Sequence, residues 1–309
     1  MPLSPSGTFH MPQRKIAVIG VANAYGAGDP ACQDGPEILR RFEFLDDLAP
    51  ADGTSQWDET LRPSHESVAG PLPALSDMTR RLATAVRGHL AAGNFPLVIG
   101  GDHSCAIGTW SGVHAHLESR GPGARLGLIW IDAHMDSHAV YSGSSQNIHD
   151  MPLACLLGHG APQLSGIADA APTLRPQDVC LIGVRSFEWR EAALLLTLGV
   201  RVYYMQEVHE RGMSAVLQEA RRHVCRETAG YGISIDLDAL DPLEEPGVGT
   251  PVPDGLLRAE LIQALAPLRG DTRLQALEVV EYNPDQDPNF TTAQAVHDLC
   301  CSLLEPALA

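Results

Sequence analysis

Leu128-Ile-Trp-Ile-Asp-Ala-His-Met-Asp136 decides how the rest of the chain is read. Its first four residues form an unbroken apolar run, the signature of a strand buried on both faces, as in parallel sheets. Its last five set Asp132, His134 and Asp136 at alternate positions. In extended backbone, residues two apart point the same way, so the three side chains are expected to converge. Carboxylates with an imidazole form a ligand mix suited to a first-row divalent ion.

Outward from this stretch, the pattern repeats. Short apolar runs at 15–20, 95–100, 179–183, 200–204, 231–236 and 274–280 predict further strands. Helices are expected to open at Gly35-Pro36, to run from a Ser76-Asp77 cap to about Ala92, and to begin near Ala106. Others are expected over 151–157, 188–198, 213–226 and 256–268, with Asp254 at the start of the last of these. Thr291 or Thr292 is expected to cap the final helix. Residues 50–74 read as a long polar loop containing a short strand. Strand and helix alternate without an internal repeat or a dividing linker. The fold class predicted is α/β: a single doubly wound, mostly parallel sheet with helices on both faces. Residues 1–13, rich in Pro and Ser, read as a flexible lead, and 14–309 as one catalytic domain.

In such sheets ligands bind beyond the carboxyl ends of the strands. His103, Asp132, His134, Asp136, Asp236, Asp238 and Glu281 all fall at such ends. Apart from Glu281, these are four carboxylates (Asp132, Asp136, Asp236, Asp238) and two imidazoles (His103, His134). One ion needs three or four; six suit two ions sharing carboxylates. An oxygen-rich set without thiolate favours Mn²⁺ over Zn²⁺. Bound metal lowers the pKa of water, which supplies a nucleophile without Ser, Cys or an organic cofactor.

Composition excludes other classes. The 309 residues are 44% hydrophobic and 19% charged, with a net charge of −17. An acidic chain is a poor partner for nucleic acid and suits a small cationic ligand better. Seven scattered cysteines without a CxxC pair argue against a disulfide framework or structural zinc. With no signal peptide at the start and no apolar run near 20 residues, a cytoplasmic protein is expected. Gly26-Ala-Gly-Asp-Pro-Ala31 matches a loose GxGxxA, but it sits in a loop apart from the first strand and does not open a helix, so no dinucleotide site is assigned. Trp110 and Trp130 read as core.

The motifs Gly100-Gly-Asp-His-Ser104, Asp132-Ala-His-Met-Asp136 and Ser234-Ile-Asp-Leu-Asp-Ala-Leu-Asp-Pro242 occur in order. With them the chain resembles the ureohydrolase superfamily of arginases, agmatinases, guanidinobutyrases and formiminoglutamases, and is most similar to arginases. The resemblance implies an arginase-like three-layer αβα fold and two Mn²⁺ per chain. His103, Asp132, Asp136 and Asp236 would hold one ion, and Asp132, His134, Asp236 and Asp238 the other. It implies His149, Asp136 and Glu281 as catalytic residues, with Glu281 on the guanidinium. Asn147, Ser145, His138 and Glu188 would meet the substrate tail. It also implies a homo-oligomer, trimer or hexamer, that hydrolyses L-arginine to L-ornithine and urea. Agmatine or guanidinobutyrate is the alternative substrate. A zinc deacetylase-like amidohydrolase and an inactive metal-binding paralogue are the other readings. His138, Gln146, Asp150 and Glu188 depart from the arginase pattern on the side that would face the substrate tail.

Overall fold

The structure is a computed structural model that describes residues 14–48, 56–63, 71–139, 148–167 and 172–304. The lead assigned to 1–13 lies outside these residues, as do Ser145, Gln146 and Asn147. In chain order the elements are β1 (Ile16–Val21), α1 (Gly35–Arg41), β2 (Gln56–Leu61), α2 (Pro71–Ala91), β3 (Phe95–Gly100) and α3 (Ala106–Arg120). Then come β4 (Leu126–Ile131), α4 (Pro152–Leu156), α5 (Pro162–Ser165), β5 (Val179–Val184), α6 (Trp189–Leu198) and β6 (Arg201–Tyr204). The chain continues through α7 (Met205–Arg211), α8 (Met213–Val224), β7 (Gly230–Asp236), α9 (Arg258–Leu265), β8 (Leu274–Val280) and α10 (Thr291–Leu304).

The strands form one parallel sheet in the order β2-β1-β3-β8-β7-β4-β5-β6. Every residue of β3, β4, β7 and β8 is buried. The edge strands β2 and β6 are partly exposed, which suits strands with one unpaired side. Alternation along β4 divides the core. Ile129 and Ile131 pack in the cluster that holds Leu217 of α8, Leu261 of α9 and Val296 of α10. Leu128 and Trp130 pack with Leu82 of α2, Val113 of α3 and Leu195 of α6. Each fully buried side chain of this size contributes about 1.5–3 kcal/mol. Two helical layers on one parallel sheet are the three-layer αβα arrangement that the resemblance implies.

The four central neighbours, β3-β8-β7-β4, are buried along their whole length, as are β1 and β5 on either side of them. His103, Asp132, Asp236 and Glu281 stand at the carboxyl ends of the central four, so the sheet order brings together four segments remote in sequence.

Some local expectations are corrected. Helix α2 starts at Pro71, ahead of the Ser76-Asp77 pair, because prolines fit a first turn whose N–H groups have no partner. Ser76 lies inside the helix and donates to the Gln163 carbonyl at 3.0 Å, tying α2 to α5. The cap of α10 is Asp287: its two oxygens accept the N–H groups of Thr291 at 2.7 Å and Ala293 at 3.0 Å. Thr292 accepts the N–H of Gly247 instead. Asp254 sits in the loop before α9 with φ 66° and does not cap it. Helix α7 has no counterpart in the sequence reading. It is separated from α8 by Gly212 at φ 82°.

Candidate metal centre and active site

His103 follows β3 in a short 3-10 turn capped by Asp102, whose carboxylate accepts the Ser104 N–H. Its imidazole stacks on Trp130 of β4, with ring centroids 4.1 Å apart. Nδ1 of His103 is buried and has no hydrogen bond of good geometry. It lies 3.3, 3.0 and 3.0 Å from carboxylate oxygens of Asp132, Asp136 and Asp236. Ligand atoms of these four residues lie within 4.8 Å of one another. Carboxylates crowded like this repel by several kcal/mol in a partly buried site. An orphaned ring nitrogen facing them is what a divalent cation would satisfy, so the residues fit a metal.

A second group shares Asp132 with the first and adds His134 and Asp238. His134 Nδ1 is 3.0 Å from Asp238 and 3.5 Å from Asp132. The Asp132 carboxylate is held on both sides, accepting Trp130 Nε1 at 2.7 Å and the His134 N–H at 2.6 Å. Asp238 accepts Thr250 Oγ1 at 2.8 Å. Asp236, which the resemblance assigns to both ions, stands in the first group alone, and one of its oxygens accepts the Asp238 N–H at 2.9 Å.

Electrostatics follow the crowding. Burial disfavours charge on His103, but Asp132, Asp136 and Asp236 outweigh it and hold its pKa well above the usual imidazole range. Burial and the neighbouring Asp132 push Asp136 up to about 7. Burial, Asp238 and Asp132 drive Asp236 far upward. Burial also opposes ionisation of Asp132, yet His103 and His134 hold it below the ordinary carboxylate range. Metal binding would displace protons held in such a cluster.

The expected convergence of Asp132, His134 and Asp136 is present, but strand pleating is not its cause. Strand β4 ends at Ile131, and Asp136 has φ 46°. The segment bends beyond the strand, so Asp136 joins His103 while His134 joins Asp238. Glu281 likewise leaves β8 with φ 66°. Non-glycine residues in this region are uncommon and cluster at functional sites.

Glu281 Oε1 accepts the His103 N–H at 2.8 Å and lies 3.4 Å from His149 Nδ1. His149 is also 3.3 Å from Asp150. Burial alone would depress His149, but Glu281 and Asp150 raise it to about 9. The His149 N–H donates to the Gly26 carbonyl, and the Gly26 N–H to Asp102. A Cβ at Gly26 would come within 2.8 Å of the His149 nitrogen. The first glycine of the loose GxGxxA thus serves to seat this histidine. His138 N–H donates to the Asp150 carbonyl at 2.9 Å. The His138 ring lies 3.2 Å from Glu191 and 3.4 Å from Glu188, without good hydrogen-bond geometry to either. Glu191 and Glu188 raise it to about 9 against its burial. Glu188 is also the residue before the first turn of α6.

The arginase family profile matches residues 14–305. The chain belongs to the arginase family. It is 38% identical over 300 residues to an arginase of Bacillus caldovelox, covering 94% of this chain and 98% of that one. A solved structure of the Bacillus caldovelox arginase superposes with a TM-score of 0.87 at 36% identity, covering 96% of this chain and all of that one. An Entamoeba histolytica arginase solved in complex with L-ornithine superposes at 0.83 with 26% identity, covering 94% of this chain and 99% of that one. Family membership makes the protein a ureohydrolase, an enzyme acting on C–N bonds, and the cluster around Asp132 is able to bind metal.

Sequence reading missed the residues behind the ligands. Trp130 is core, as expected, and is also the donor that orients Asp132. Arg185 donates to the carbonyls of Asp238 and Val252 at 2.8 Å each, bracing the turn that carries Asp238. Ser234 and Glu278 stand behind His103. The available signal was a lone Glu inside the apolar strand Leu274–Val280.

Proposed function

We propose that the protein hydrolyses L-arginine to L-ornithine and urea. The observation that carries this reading is the sharing of Asp132 between two ligand groups, with Glu281 and His149 paired beside the first. Two divalent ions, Mn²⁺ by the oxygen-rich donor set, would be held by His103, Asp132, Asp136 and Asp236 and by Asp132, His134 and Asp238. Bound there, they supply acidified water and stabilise developing negative charge.

The protein's own groups have separate tasks. Glu281 pairs with the planar guanidinium by charge-assisted hydrogen bonds. Asp136 accepts a proton from the attacking water and passes it toward the leaving nitrogen. As the water oxygen bonds to the guanidinium carbon, the bond from that carbon to the chain nitrogen breaks. His149 protonates the departing amine and exchanges protons with solvent. Its pKa near 9 leaves it protonated at neutral pH, ready to donate. His138, Glu188, Ser145 and Asn147 meet the α-carboxylate and α-amino groups. The L-ornithine in the Entamoeba histolytica relative supports an amino-acid product. We extend the reading to a cytoplasmic homo-oligomer on family resemblance alone.

Urea release from Mn²⁺-loaded protein tests the reading, with arginine, agmatine and 4-guanidinobutyrate compared side by side. Arginine should give the highest kcat/KM. Preference for agmatine or guanidinobutyrate would reassign the substrate, and no urea from any of them would refute the activity.

A further inference from the structure

Glu278 lies within β8 and has no solvent exposure, and none of the roles above requires a carboxylate there. Its Oε1 accepts Thr109 Oγ1 at 2.5 Å and Cys105 Sγ at 3.5 Å. Its Oε2 accepts Trp110 Nε1 at 3.1 Å and Ser234 Oγ at 2.7 Å. The indole reaches this depth because Gly232 lies under it: a Cβ there would come within 1.9 Å of the ring.

The donor inventory fixes the direction of the chain of contacts. A hydroxyl has one hydrogen, and that of Ser234 points to a carboxylate that can only accept. Ser234 Oγ then meets its other neighbour, His103 Nε2 at 3.0 Å, with a lone pair. That ring nitrogen must carry a hydrogen. A neutral imidazole with hydrogen on Nε2 keeps its lone pair on Nδ1. Nδ1 is the buried, orphaned atom facing Asp132, Asp136 and Asp236.

We propose that Glu278 is a positioning residue for His103: acting through Ser234, it fixes the tautomer and ring orientation that present Nδ1 to a divalent cation. The proposal rests on reading the first ligand group as a metal site. The carboxylate also polarises the Ser234 hydroxyl and so makes the imidazole a better donor to the ion. Metal-ligating histidines commonly give their second N–H to such a partner, and removing the partner typically costs about 10–100-fold in metal affinity. Trp130 stacked on the ring holds its plane, while Ser234 and Glu278 set its hydrogen.

Glu278→Ala would strip four donors of their acceptor and could unfold the sheet, so the test uses smaller changes. In Glu278→Gln, the indole N–H of Trp110 keeps the amide oxygen on the Oε2 side, where Ser234 also donates; the charge is lost, and the amide NH2 on the Oε1 side turns Thr109 from donor to acceptor and leaves the weak Cys105 contact without its acceptor. Ser234→Ala cuts the link and leaves Glu278 its other donors. Mn²⁺ is titrated into the metal-free full chain against a competing chelator, resolving two binding events. Glu278→Gln should weaken the His103-containing site about 10-fold, and Ser234→Ala about 10–100-fold. The double variant should be no weaker than Ser234→Ala alone, and the His134–Asp238 site should change far less in all three. Unchanged Mn²⁺ binding in Glu278→Gln, losses that multiply in the double variant, or equal losses at both sites would each overturn the proposal. A parent protein that binds no Mn²⁺ overturns the metal reading and this proposal together. One that binds Mn²⁺ but releases no urea refutes the assigned activity alone.

Discussion

The carboxylate of Glu281 accepts the backbone N–H of His103 at 2.8 Å, so the residue just after β8 is tied to the turn that follows β3. One oxygen of Glu281 is thus engaged with the protein before any substrate arrives. Glu281→Gln keeps an acceptor for that N–H and removes the charge. We expect two bound ions per chain as in the parent, and kcat/KM lower by roughly 30- to 5,000-fold. That range follows from the 2–5 kcal/mol lost when one partner of a buried charge pair is truncated. Loss of metal in this variant would move Glu281 from substrate binding to the metal site.

Metal should stabilise the fold, because it relieves repulsion among Asp132, Asp136, Asp236 and Asp238. At Mn²⁺ about 1,000-fold above its Kd, linkage adds roughly 4 kcal/mol. Tm by calorimetry should then rise by about 10 °C over the chelator-treated protein. An unchanged Tm would show that the cluster is satisfied without a cation.

The contact between His149 and Glu281 makes stability depend on pH. The folded pKa of His149 is raised to about 9, above its ordinary value of about 6.5. The protonated form is therefore favoured by folding, and its contribution is complete below about pH 6.5 and lost as pH rises through about 9. His149→Ala should be less stable than the parent at pH 6, with the gap closing by pH 10 in parallel denaturant titrations. A gap that widens with pH would contradict the pairing. The same variant should slow urea release and leave metal content unchanged.

Asp287 holds the start of α10 with both oxygens. Asp287→Ala should cost about 1–2 kcal/mol, the usual range for a lost helix cap, and lower Tm by several degrees. Room-temperature kcat/KM should not change. Thr291→Ala, by contrast, should be close to neutral, since Thr291 supplies the N–H and not the cap.

The ligands were legible because each lies next to the end of an apolar run: His103 after 95–100, Asp132 after 126–131, Asp236 at the end of 230–236. Proximity to a strand end is a local property, and the parallel α/β pattern gathers those ends on one edge. What stayed hidden depends on contacts across the sheet. Glu278 looks like any strand residue until Trp110, Thr109 and Ser234 are placed around it. Trp130 was legible as core, but its N–H is aimed by the bend after Ile131. The cap of α10 lies four residues ahead of the first helical N–H, beyond the adjacent threonines that the sequence offers. Helix α7 was missed because Gly212 divides a segment whose apolar spacing marks only its second half.

The strand order has a consequence for how the enzyme is made. β8, which follows the other seven strands of the sheet in chain order, is inserted between β3 and β7 rather than added at an edge. The hydrogen bond from His103 to Glu281 spans 178 residues of sequence. During synthesis, His103, Asp132 and Asp236 emerge from the ribosome with a gap in the sheet where β8 belongs. The gap is lined by strands that are buried in the finished protein, so the nascent chain exposes apolar strand edges until residues 274–280 are available. Pairings this distant in sequence are slow to form. Catalytic competence is therefore withheld until the chain has been made through Glu281, and a chain that terminates before residue 274 has neither Glu281 nor the strand that closes the sheet behind His103.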